Sequence, residues 1–372
     1  MGREAPRRIG VEVRIALLTE IPAPFRIPLF NALAERAQLL VLFLARADPR
    51  RPHYEHHEDE WRFDHGFLRG RDARLGDRWI VLNRGVLPAL RAFRPSAVGV
   101  GGWNQPAFWQ ALAYGKTVRV PLIVWIESTA RDARSEALPL ELTKRGFVRG
   151  AAGAFVPGRA SADYARALGI ADERIVVAPN AVDNAFFARA PRDRSAECRF
   201  LYVGRHDPEK GLDVLLDAFA EVPGELVLAG TGSEADSLRA RAQERVRFLG
   251  PVLRDDLPAL YGSVDVFVLP SRSEQWGMVL NEAAAAGLAL VATEAAGAAY
   301  ELVDDELRVP VGDAAALAAA MRRLAESPDV RAASAERSRE RVTALTPEAW
   351  AEGVLELATR AARRRPRNAG PG

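Results

Sequence analysis

Two glutamates, Glu274 and Glu282, lie eight positions apart in the stretch VDVFVLPSRSEQWGMVLNEAAAAGLALVAT, which runs from Val264 to Thr293. An ionised carboxylate accepts hydrogen bonds and donates none, so a pair of glutamates suits a ligand that is rich in hydroxyl groups. What the two carboxylates can bind depends on the elements that hold them.

The apolar periodicity of this stretch predicts a strand, a loop, a helix and a second strand. The expected bounds are 264–269 for the first strand, 271–277 for the loop, 278–286 for the helix closed by Gly287, and 288–293 for the second strand. In such a parallel crossover unit, the loop after the first strand lies at the rim of a ligand crevice. We therefore expect Glu274 in that loop, and Glu282 about 6 Å further along the helix axis from Met278 at ~1.5 Å per residue.

The start of the predicted helix is a candidate phosphate site. The first N–H groups of a helix, here from Gly277 to Leu280, have no intrahelical partner, and the helix dipole adds positive charge beside them. A phosphate site flanked by two carboxylates suits a nucleotide sugar, because ribose and hexose are polyols and a diphosphate needs N–H groups and cations. The alternative interpretation is an ordinary crossover helix with solvated acids.

The composition is typical of a soluble globular protein. The 372 residues are 48% hydrophobic and 27% charged, and 51 basic and 49 acidic residues leave a net charge of +2. This balance gives no global attraction to nucleic acid. The single cysteine, Cys198, excludes an internal disulfide framework and fits a reducing cytosol. Charged residues interrupt the apolar run behind the basic N-terminus, so we expect a cytoplasmic chain without a signal peptide or a membrane span.

Strand and helix patterns alternate along both halves of the chain and predict an α/β fold. We expect an N-terminal, acceptor-side Rossmann-like domain over residues 1–185, a linker at 186–198, and a second doubly wound domain at 199–345 that binds the donor. Residues 346–372 are expected to form a C-terminal helix, with the option of packing back on the first domain, and a disordered basic tail. Two doubly wound domains facing a central cleft suit a reaction with two substrates.

The loop GRHDPEKG, residues 204–211, follows one predicted strand and precedes a helix. Arg205 and Lys210 could both reach a diphosphate from this loop, each charge-assisted hydrogen bond contributing about 1.5–3 kcal/mol. Lysine is an uncommon choice in this arginine-rich chain, so its position carries weight. After the next strand, Gly230 and Gly232 would allow a ligand to approach the backbone closely. The alternative for GRHDPEKG is a surface turn ahead of a helix.

Two predicted strands of the first half end in polar and aromatic residues. Trp103 and Asn104 follow the strand at 97–100, and Glu127 and Arg131 follow VPLIVWIE. Because strand ends of a parallel sheet face the crevice, we interpret these four residues as candidates for contact with an acceptor. Packing of the tryptophan and capping of a following helix are the alternatives.

The segment HYEHHEDE contains three closely spaced histidines, His53, His56 and His57. A metal could bind there, but nothing else in the sequence supplies a ligand geometry. A solvated loop is the better interpretation, and no metal site is predicted.

Several motifs in order along the second half resemble those of one enzyme family. The matching pieces are GRHDPEKG, AGTGS, VRFLGPV and SRSEQWGMVLNEAAAAGLALVAT, which extend from about residue 200 to residue 302. Together they resemble the second domain of retaining GT-B glycosyltransferases of family 4, the glycosyl transferases group 1, including the signature of two glutamates separated by seven residues. In the first half, APNAVDNAFF resembles the stretch with which such enzymes leave the first domain.

The resemblance implies roles for the residues of the donor site. Arg205 and Lys210 would hold the donor diphosphate, with Gly204 in the same loop, and assist departure of the nucleoside diphosphate. Glu274 would bind hydroxyls of the transferred sugar, and Glu282 those of the ribose. The phosphate cradle would be completed by backbone N–H groups of Gly277, Met278 and Val279. Such enzymes retain the anomeric configuration and need neither a metal nor a cofactor.

Two departures from the family pattern concern the first domain. Where many members have a Gly-Gly loop after the first strand, this chain has EIPAPFRIP, and where many have a histidine after the strand corresponding to VPLIVWIE, it has Glu127 and Ser128. Glu127 could take over contact with the sugar or the acceptor.

The predicted function is transfer of a hexose from a UDP- or GDP-sugar to a hydroxyl of a glycolipid, a polysaccharide or a small molecule. The alternatives are a nucleotide-sugar epimerase of related two-domain fold and a non-catalytic nucleotide-sugar-binding protein. The arginines of the C-terminal tail leave weak peripheral contact with an anionic membrane as a minority interpretation.

Overall fold

The computed structural model describes residues 13–48, 57–75, 78–131, 138–189 and 197–364. Within them, strands and helices alternate, and the α/β class predicted from the sequence is confirmed. The strands are β1 Arg14–Thr19, β2 Gln38–Phe43, β3 Asp64–Phe67, β4 Arg69–Leu75, β5 Arg78–Arg84, β6 Ala97–Val100, β7 Leu122–Trp125, β8 Gly153–Val156, β9 Ile175–Val177, β10 Arg199–Val203, β11 Glu225–Ala229, β12 Val246–Gly250, β13 Val266–Leu269, β14 Ala289–Thr293 and β15 Arg308–Val309. The helices are α1 Ile27–Ala34, α2 Val86–Phe93, α3 Pro106–Val118, α4 Leu138–Gly150, α5 Arg159–Ala167, α6 Asn184–Phe187, α7 Leu212–Phe219, α8 Ala235–Arg241, α9 Leu257–Gly262, α10 Met278–Ala285, α11 Ala299–Leu302, α12 Ala314–Glu326, α13 Pro328–Val342 and α14 Pro347–Arg363.

The first sheet has the strand order β3-β2-β1-β6-β7-β8-β9. Strand β1 pairs in parallel with both β2 and β6, so the direction of winding reverses between β1 and β6. Its central strands β6 and β7 are buried along their whole length, as expected for continuous apolar runs covered by helices on both faces. The loops that follow β1 and β6 therefore lie at a topological switch point.

The second sheet has the order β12-β11-β10-β13-β14-β15. Here β10 pairs in parallel with β11 on one side and with β13 on the other, which places the switch point between β10 and β13. The loops after these two strands, residues 204–211 and 270–277, start from the same edge of the sheet. This topology brings GRHDPEKG and the Glu274 loop together.

The described residues group into two compact units. One unit contains the chain up to Trp125, Thr143–Phe155 and the chain from Ala351 onward, and the other contains Ile126–Leu142 and Val156–Trp350. Within the first unit, Arg36 on the turn after α1 lies 3.8 Å from Glu352 on α14. The predicted linker at 186–198 falls mostly outside the described residues, and the domain boundaries drawn from the sequence stay predictions.

A β-hairpin and a helix were absent from the predicted elements of the first half. Strands β4 and β5 pair in antiparallel fashion, from Arg69 opposite Arg84 to Leu75 opposite Arg78. Alternation of buried Trp79, Val81 and Asn83 with exposed Leu82 explains β5 as a strand with one covered face. Helix α4 mixes polar and apolar residues, and Phe147 and Val148 are among its buried side chains.

His53 and His56 lie outside the described residues, and His57 is exposed. In the part of the chain that the structure describes, no three His, Cys, Asp or Glu side chains group in a way that could hold a metal ion. None of the described helices is both long enough and apolar enough to span a bilayer. The predicted basic tail is described only as far as residue 364.

Candidate functional site

Arg272 joins the loop after β13 to the loop after β10. Its guanidinium makes two hydrogen bonds, of 2.8 and 2.6 Å, to the carboxylate of Asp213 on α7, and one of 2.9 Å to the backbone oxygen of Pro208. The backbone N–H of Arg272 also donates to the backbone oxygen of Glu209 at 2.8 Å. A forked pair of this kind fixes geometry as well as charge. The two loops therefore form one framework.

Lys210 and Glu274 meet across this framework. Lys210 Nζ lies 2.6 Å from Glu274 Oε2, and their side chains are 15% and 19% exposed. The close approach depends on Gly211, which has φ +67° and where an added Cβ would lie 2.3 Å from the backbone oxygen of Pro270. Lys210 is thus part of a half-buried ion pair and does not lie in a solvated surface turn.

The Arg272–Asp213 pair predicts a pH-dependent contribution to stability. The hydrogen bond from Arg272 lowers the pKa of Asp213, against the opposing effect of burial. A lowered carboxyl pKa gives stability that is present above the unfolded-state pKa and is lost as the pH falls through the folded-state pKa. We expect Asp213→Asn to lower the melting temperature at neutral pH and to have little effect at acid pH, as measured by calorimetry across this range.

Asp217→Asn is the matched control for this prediction. Asp217 lies one turn further along α7 and pairs with Arg241 at 2.7 Å, but it is 59% exposed. Exposed pairs contribute only about 0–1 kcal/mol, so the control should change the melting temperature little at any pH. Equal effects of the two substitutions would contradict the role given to Arg272.

Arg205 is held by acidic neighbours in its own loop. It forms ion pairs with Asp207 and, at 2.5 Å, with Glu209, and its side chain is 53% exposed. Asp207 in turn accepts hydrogen bonds from the backbone N–H and the hydroxyl of Ser233, at 2.9 and 3.0 Å. Burial raises the pKa of Asp207, but these bonds and the charge of Arg205 outweigh it, so that the pKa is lowered. Asp207 thus connects the Arg205 loop to the loop after β11.

The glycines after β10 and β11 let two backbone segments approach each other. Gly230 has φ +127°, and an added Cβ would lie 1.9 Å from the backbone oxygen of Gly204. At Gly232, an added Cβ would lie 2.5 Å from the backbone carbon of His206. We predicted close approach of a ligand at these glycines from the sequence, whereas the structure shows close approach of the neighbouring loop.

Helix α10 begins at the position predicted from the sequence. Gly277 adopts φ +93° at the N-cap, a conformation that side chains rarely tolerate, and an added Cβ would lie 2.9 Å from Leu269. The N–H groups at the start of this eight-residue helix, including those of Met278 and Val279, lie in its first turn, where intrahelical acceptors are lacking. Glu274 is fixed just before it by a β-bridge to Ala296.

Glu282, on α10, accepts a hydrogen bond of 2.7 Å from the hydroxyl of Tyr261. Tyr261 is fully buried, whereas Glu282 keeps part of its surface accessible. Burial raises the pKa of Glu282, although the hydrogen bond from Tyr261 and the charge of Arg254 act in the opposite direction. Tyr261 leaves Glu282 with acceptor capacity for a further partner, since a carboxylate has about four lone-pair sites.

Trp103 and Asn104 lie in the first unit. Asn104 is exposed and donates a hydrogen bond of 2.8 Å to Glu20, which follows β1. The backbone oxygen of Trp103 accepts from Trp109 Nε1 at 3.0 Å, and Lys144 Nζ lies 5.5 Å from the centre of the Trp103 ring. These residues gather at the switch point of the first sheet, as expected for the ends of β1 and β6.

Glu127 and Arg131 group with the second unit, together with Glu274. Glu127 Oε1 accepts a hydrogen bond of 2.9 Å from Asn180, and Arg131 forms an ion pair with Glu294. The sequence pattern had assigned all four acceptor candidates to one domain. The structure instead separates Glu127 and Arg131 from Trp103 and Asn104.

Arg272, Asp213 and Tyr261 belong to the site but were not predicted from the sequence. Each acts through a partner that is distant in the chain: Arg272 and Asp213 are 59 positions apart, and Tyr261 and Glu282 are 21 apart. Of the three, only Asp213 offered a usable signal, because it is a single charge in the apolar run LDVLL and a half-buried charge needs a partner.

Solved structures share this architecture. The Anabaena protein HepE in complex with UDP matches with a TM-score of 0.72 at 19% identity, covering 94% of this chain and 99% of that chain. Sucrose-phosphate synthase from Thermosynechococcus elongatus matches with a TM-score of 0.69 at 22% identity, with the same coverage of 94% and 99%. Identities this low support the fold alone. The chain has the GT-B fold that was predicted from its sequence.

Residues 197–327 match the model of the family described as glycosyl transferases group 1. Glycogen synthase from Mycobacterium tuberculosis is 36% identical over 184 residues, which cover 45% of this chain and 44% of the relative. Phosphatidyl-myo-inositol mannosyltransferase from Mycolicibacterium smegmatis is 38% identical over 179 residues, which cover 44% of this chain and 46% of the relative. The chain thus spans under half the length of these curated relatives. The family resemblance seen in the sequence is confirmed.

Proposed function

We propose that the protein transfers a hexose from a UDP- or GDP-sugar to a hydroxyl acceptor, with retention of the anomeric configuration. The observation that carries this proposal is the ion pair of 2.6 Å between Lys210 and Glu274 on two joined loops, beside the start of α10. It places a cation, a carboxylate and helix N–H groups next to one another in the segment that matches the model of the glycosyl transferases group 1 family. A sugar joined to a diphosphate offers a partner to each of these groups.

Stabilisation of the leaving group is the main catalytic device in this mechanism. As the bond between the anomeric carbon and the diphosphate oxygen breaks, negative charge grows on the diphosphate. In this proposal Lys210, the guanidinium of Arg205 and the first N–H groups of α10 meet that charge, and preorganised donors of this kind lower the barrier without reorganising. For Arg205 this requires an exchange of Asp207 and Glu209 for phosphate oxygens, which its exposure allows.

The carboxylates bind the two sugars. Glu274 accepts from hydroxyls of the transferred hexose, and Glu282 accepts from hydroxyls of the ribose. Neither is proposed as a general base: the acceptor oxygen attacks the anomeric carbon from the face that the diphosphate leaves, and the leaving diphosphate takes the acceptor proton. Retention follows from attack on that face. The products are a glycoside and a free nucleoside diphosphate, with no metal or cofactor in the balance.

Glu282→Ala is expected to weaken binding of the nucleotide by about 10- to 100-fold, the range for losing a hydrogen bond to a charged group. The affinity of the wild-type protein should fall as the pH falls through the raised pKa of Glu282, since the protonated carboxyl loses acceptor capacity. Calorimetric titration with UDP and GDP as a function of pH measures both effects. Tyr261→Phe is the comparison variant, because it keeps the carboxylate and removes only one of its donors; an equal loss in both variants would argue against ribose binding by Glu282.

Release of free UDP or GDP tests the whole proposal. A transferase releases nucleoside diphosphate in proportion to added acceptor, and the anomeric configuration of the product can be read by NMR. A nucleotide-sugar epimerase would change the sugar without releasing product to an acceptor, and a binding protein would do neither. A first screen for thermal stabilisation by UDP-, GDP- and dTDP-sugars selects the donor, because a ligand of the native state raises the melting temperature.

The acceptor and the location of the protein belong to the same proposal. Trp103 and Asn104, at the switch point of the first sheet, are the proposed acceptor contacts, and Arg131 is a separate candidate in the second unit. A glycolipid, a polysaccharide or a small molecule would each present the hydroxyl that the mechanism needs. A cytoplasmic protein with at most weak peripheral contact with a membrane is the proposed location.

A further inference from the structure

Hydrogen bonds link four residues of the second unit, passing through both the backbone oxygen and the side chain of Asn180. Trp276 Nε1 donates to Asn281 Oδ1 at 2.9 Å, and Asn281 Nδ2 donates to the backbone oxygen of Asn180 at 2.9 Å. The side chain of Asn180 then donates through Nδ2 to Glu127 Oε1, also at 2.9 Å. These hydrogen bonds thus connect Trp276, two positions after Glu274, with the carboxylate of Glu127, which follows β7.

Three of the four linked residues are almost fully buried: Asn281 is 0% exposed, and Asn180 and Trp276 are each 3% exposed. In such surroundings an unpaired amide is costly, so the hydrogen bonds specify one arrangement. The direction is also fixed. An indole N–H can only donate, so Asn281 presents its oxygen to Trp276 and its nitrogen to Asn180.

Both ends of this series of hydrogen bonds are anchored. An added Cβ at Gly158 or Gly297 would lie 3.0 or 3.3 Å from the Trp276 ring, so the indole packs where any side chain at these two positions would crowd it. The backbone oxygen of Trp276 accepts from Ala298 N–H at 2.9 Å. At the other end, the backbone oxygen of Glu127 accepts from the hydroxyl of Ser161 at 3.0 Å.

A second hydrogen bond joins the same two segments. Gln275 Nε2 donates to Ser128 Oγ at 3.2 Å. Gln275 is the neighbour of Glu274, and Ser128 is the neighbour of Glu127, so the two glutamates lie on adjacent pieces of backbone. The segment after β7 is therefore tied to the Glu274 loop by one direct contact and by one buried relay.

We propose that Trp276 and Asn281 are positioning residues that hold the Glu127 carboxylate in register with Glu274 at the sugar end of the donor site. The proposal rests on the proposed function and deepens it. It moves Glu127 from the acceptor to the transferred hexose, because Glu127 shares a rigid framework with Glu274. The carboxylates of Glu127 and Glu274 would then each accept hydrogen bonds from hexose hydroxyls. A site that hydrogen-bonds a hydroxyl discriminates against analogues that lack it.

The relay itself is tested without any substrate. The indole N–H resonance of Trp276 is identified by its loss in Trp276→Phe, using protein with 15N-labelled tryptophan. Glu127→Ala removes the acceptor of Asn180 and should shift this resonance through Asn180 and Asn281. Glu294→Ala, which removes an acid of the same unit that pairs with Arg131, should leave it in place. An unmoved Trp276 resonance in Glu127→Ala would overturn the relay.

The effect on the reaction is tested by a double-mutant cycle with UDP-glucose and GDP-mannose as donors. Trp276→Phe keeps an aromatic ring and deletes the N–H donor together with part of the indole. It should lower kcat/KM by about tenfold when Glu127 is present and by less than about twofold in the Glu127→Ala background, because coupled residues are not additive. Equal factors in the two backgrounds would mean that Trp276 acts by general stability and would overturn the positioning role.

Ser338→Ala is the matched control for loss of a buried hydrogen bond. Ser338 is fully buried on α13 and donates to the backbone oxygen of Leu302 at 3.1 Å. The substitution should lower the melting temperature and leave kcat/KM unchanged. Absence of turnover with every nucleotide sugar would count against the proposed function. The Trp276 resonance would still show whether Trp276 and Glu127 are connected by the hydrogen bonds described above.

Discussion

Lys210→Ala is expected to lower kcat by at least about 10²-fold, the loss seen when one preorganised donor to a developing charge is removed. Lys210 lies 2.6 Å from Glu274 and only 15% of its side chain is exposed, so its loss removes a cation held within the site. Because the charge on the diphosphate grows in the transition state, the effect should fall mainly on kcat, with a smaller change in KM.

The measurement is steady-state release of nucleoside diphosphate with a saturating acceptor. Lys116→Ala serves as the matched control, because it removes the same charge from the exposed surface of α3 and should leave the rate unchanged. Calorimetry of both variants separates a catalytic loss from unfolding. A Lys210→Ala enzyme with the wild-type kcat would remove Lys210 from the mechanism.

Gly230→Ala is expected to destabilise the second unit by more than about 4 kcal/mol, the range reserved for severe steric or polar defects. An alanine Cβ would lie 1.9 Å from the backbone oxygen of Gly204, so one of the two loops must move, and φ at this position is +127°. The displaced loop would carry Arg205 with it. Urea unfolding followed by circular dichroism measures the loss, and any folded fraction should also bind UDP or GDP weakly.

Gly312→Ala separates crowding from backbone strain. Gly312 also has a positive φ, of +77°, but nothing lies within 4 Å of an added Cβ. This control substitution should therefore lower the free energy of unfolding by only about 1–2 kcal/mol, the penalty of a left-handed conformation for a residue with a side chain. Similar losses at the two glycines would show that contact between the loops after β10 and β11 is unimportant.

Local patterns were sufficient to predict most elements of the fold. Strand β6 has the bounds expected from the sequence, and α10 starts at Met278 as predicted. These elements are continuous apolar runs or strongly periodic helices whose ends are marked by glycine or proline, so their signal is contained within a few residues. The β4–β5 hairpin was missed because its covered face is only three residues wide on β5.

The long-range contacts of the site were not accessible in this way. The sequence identified Lys210 and Glu274 as separate candidates, but nothing local indicated that they form an ion pair across 64 positions. The same holds for Glu127, which the order of the strands assigned to the first half and whose contacts place it with the second unit. Motif spacing predicts which residues approach a ligand, whereas hydrogen bonds between distant segments depend on how the loops pack.

The ion pair between Lys210 and Glu274 also bears on how the protein responds to salt. An empty anion site lined only by cations would attract any polyanion through long-range charge, and its affinity would fall steeply as ionic strength rises. Here the cation already has a carboxylate at 2.6 Å, and Arg205 is neutralised by Asp207 and Glu209. In the proposed function, binding of a nucleotide sugar would therefore exchange one set of short-range partners for another. The unliganded protein would then discriminate against inorganic phosphate and other small anions, because only a ligand that also supplies hydroxyls to Glu274 compensates the carboxylate for the lysine it gives up.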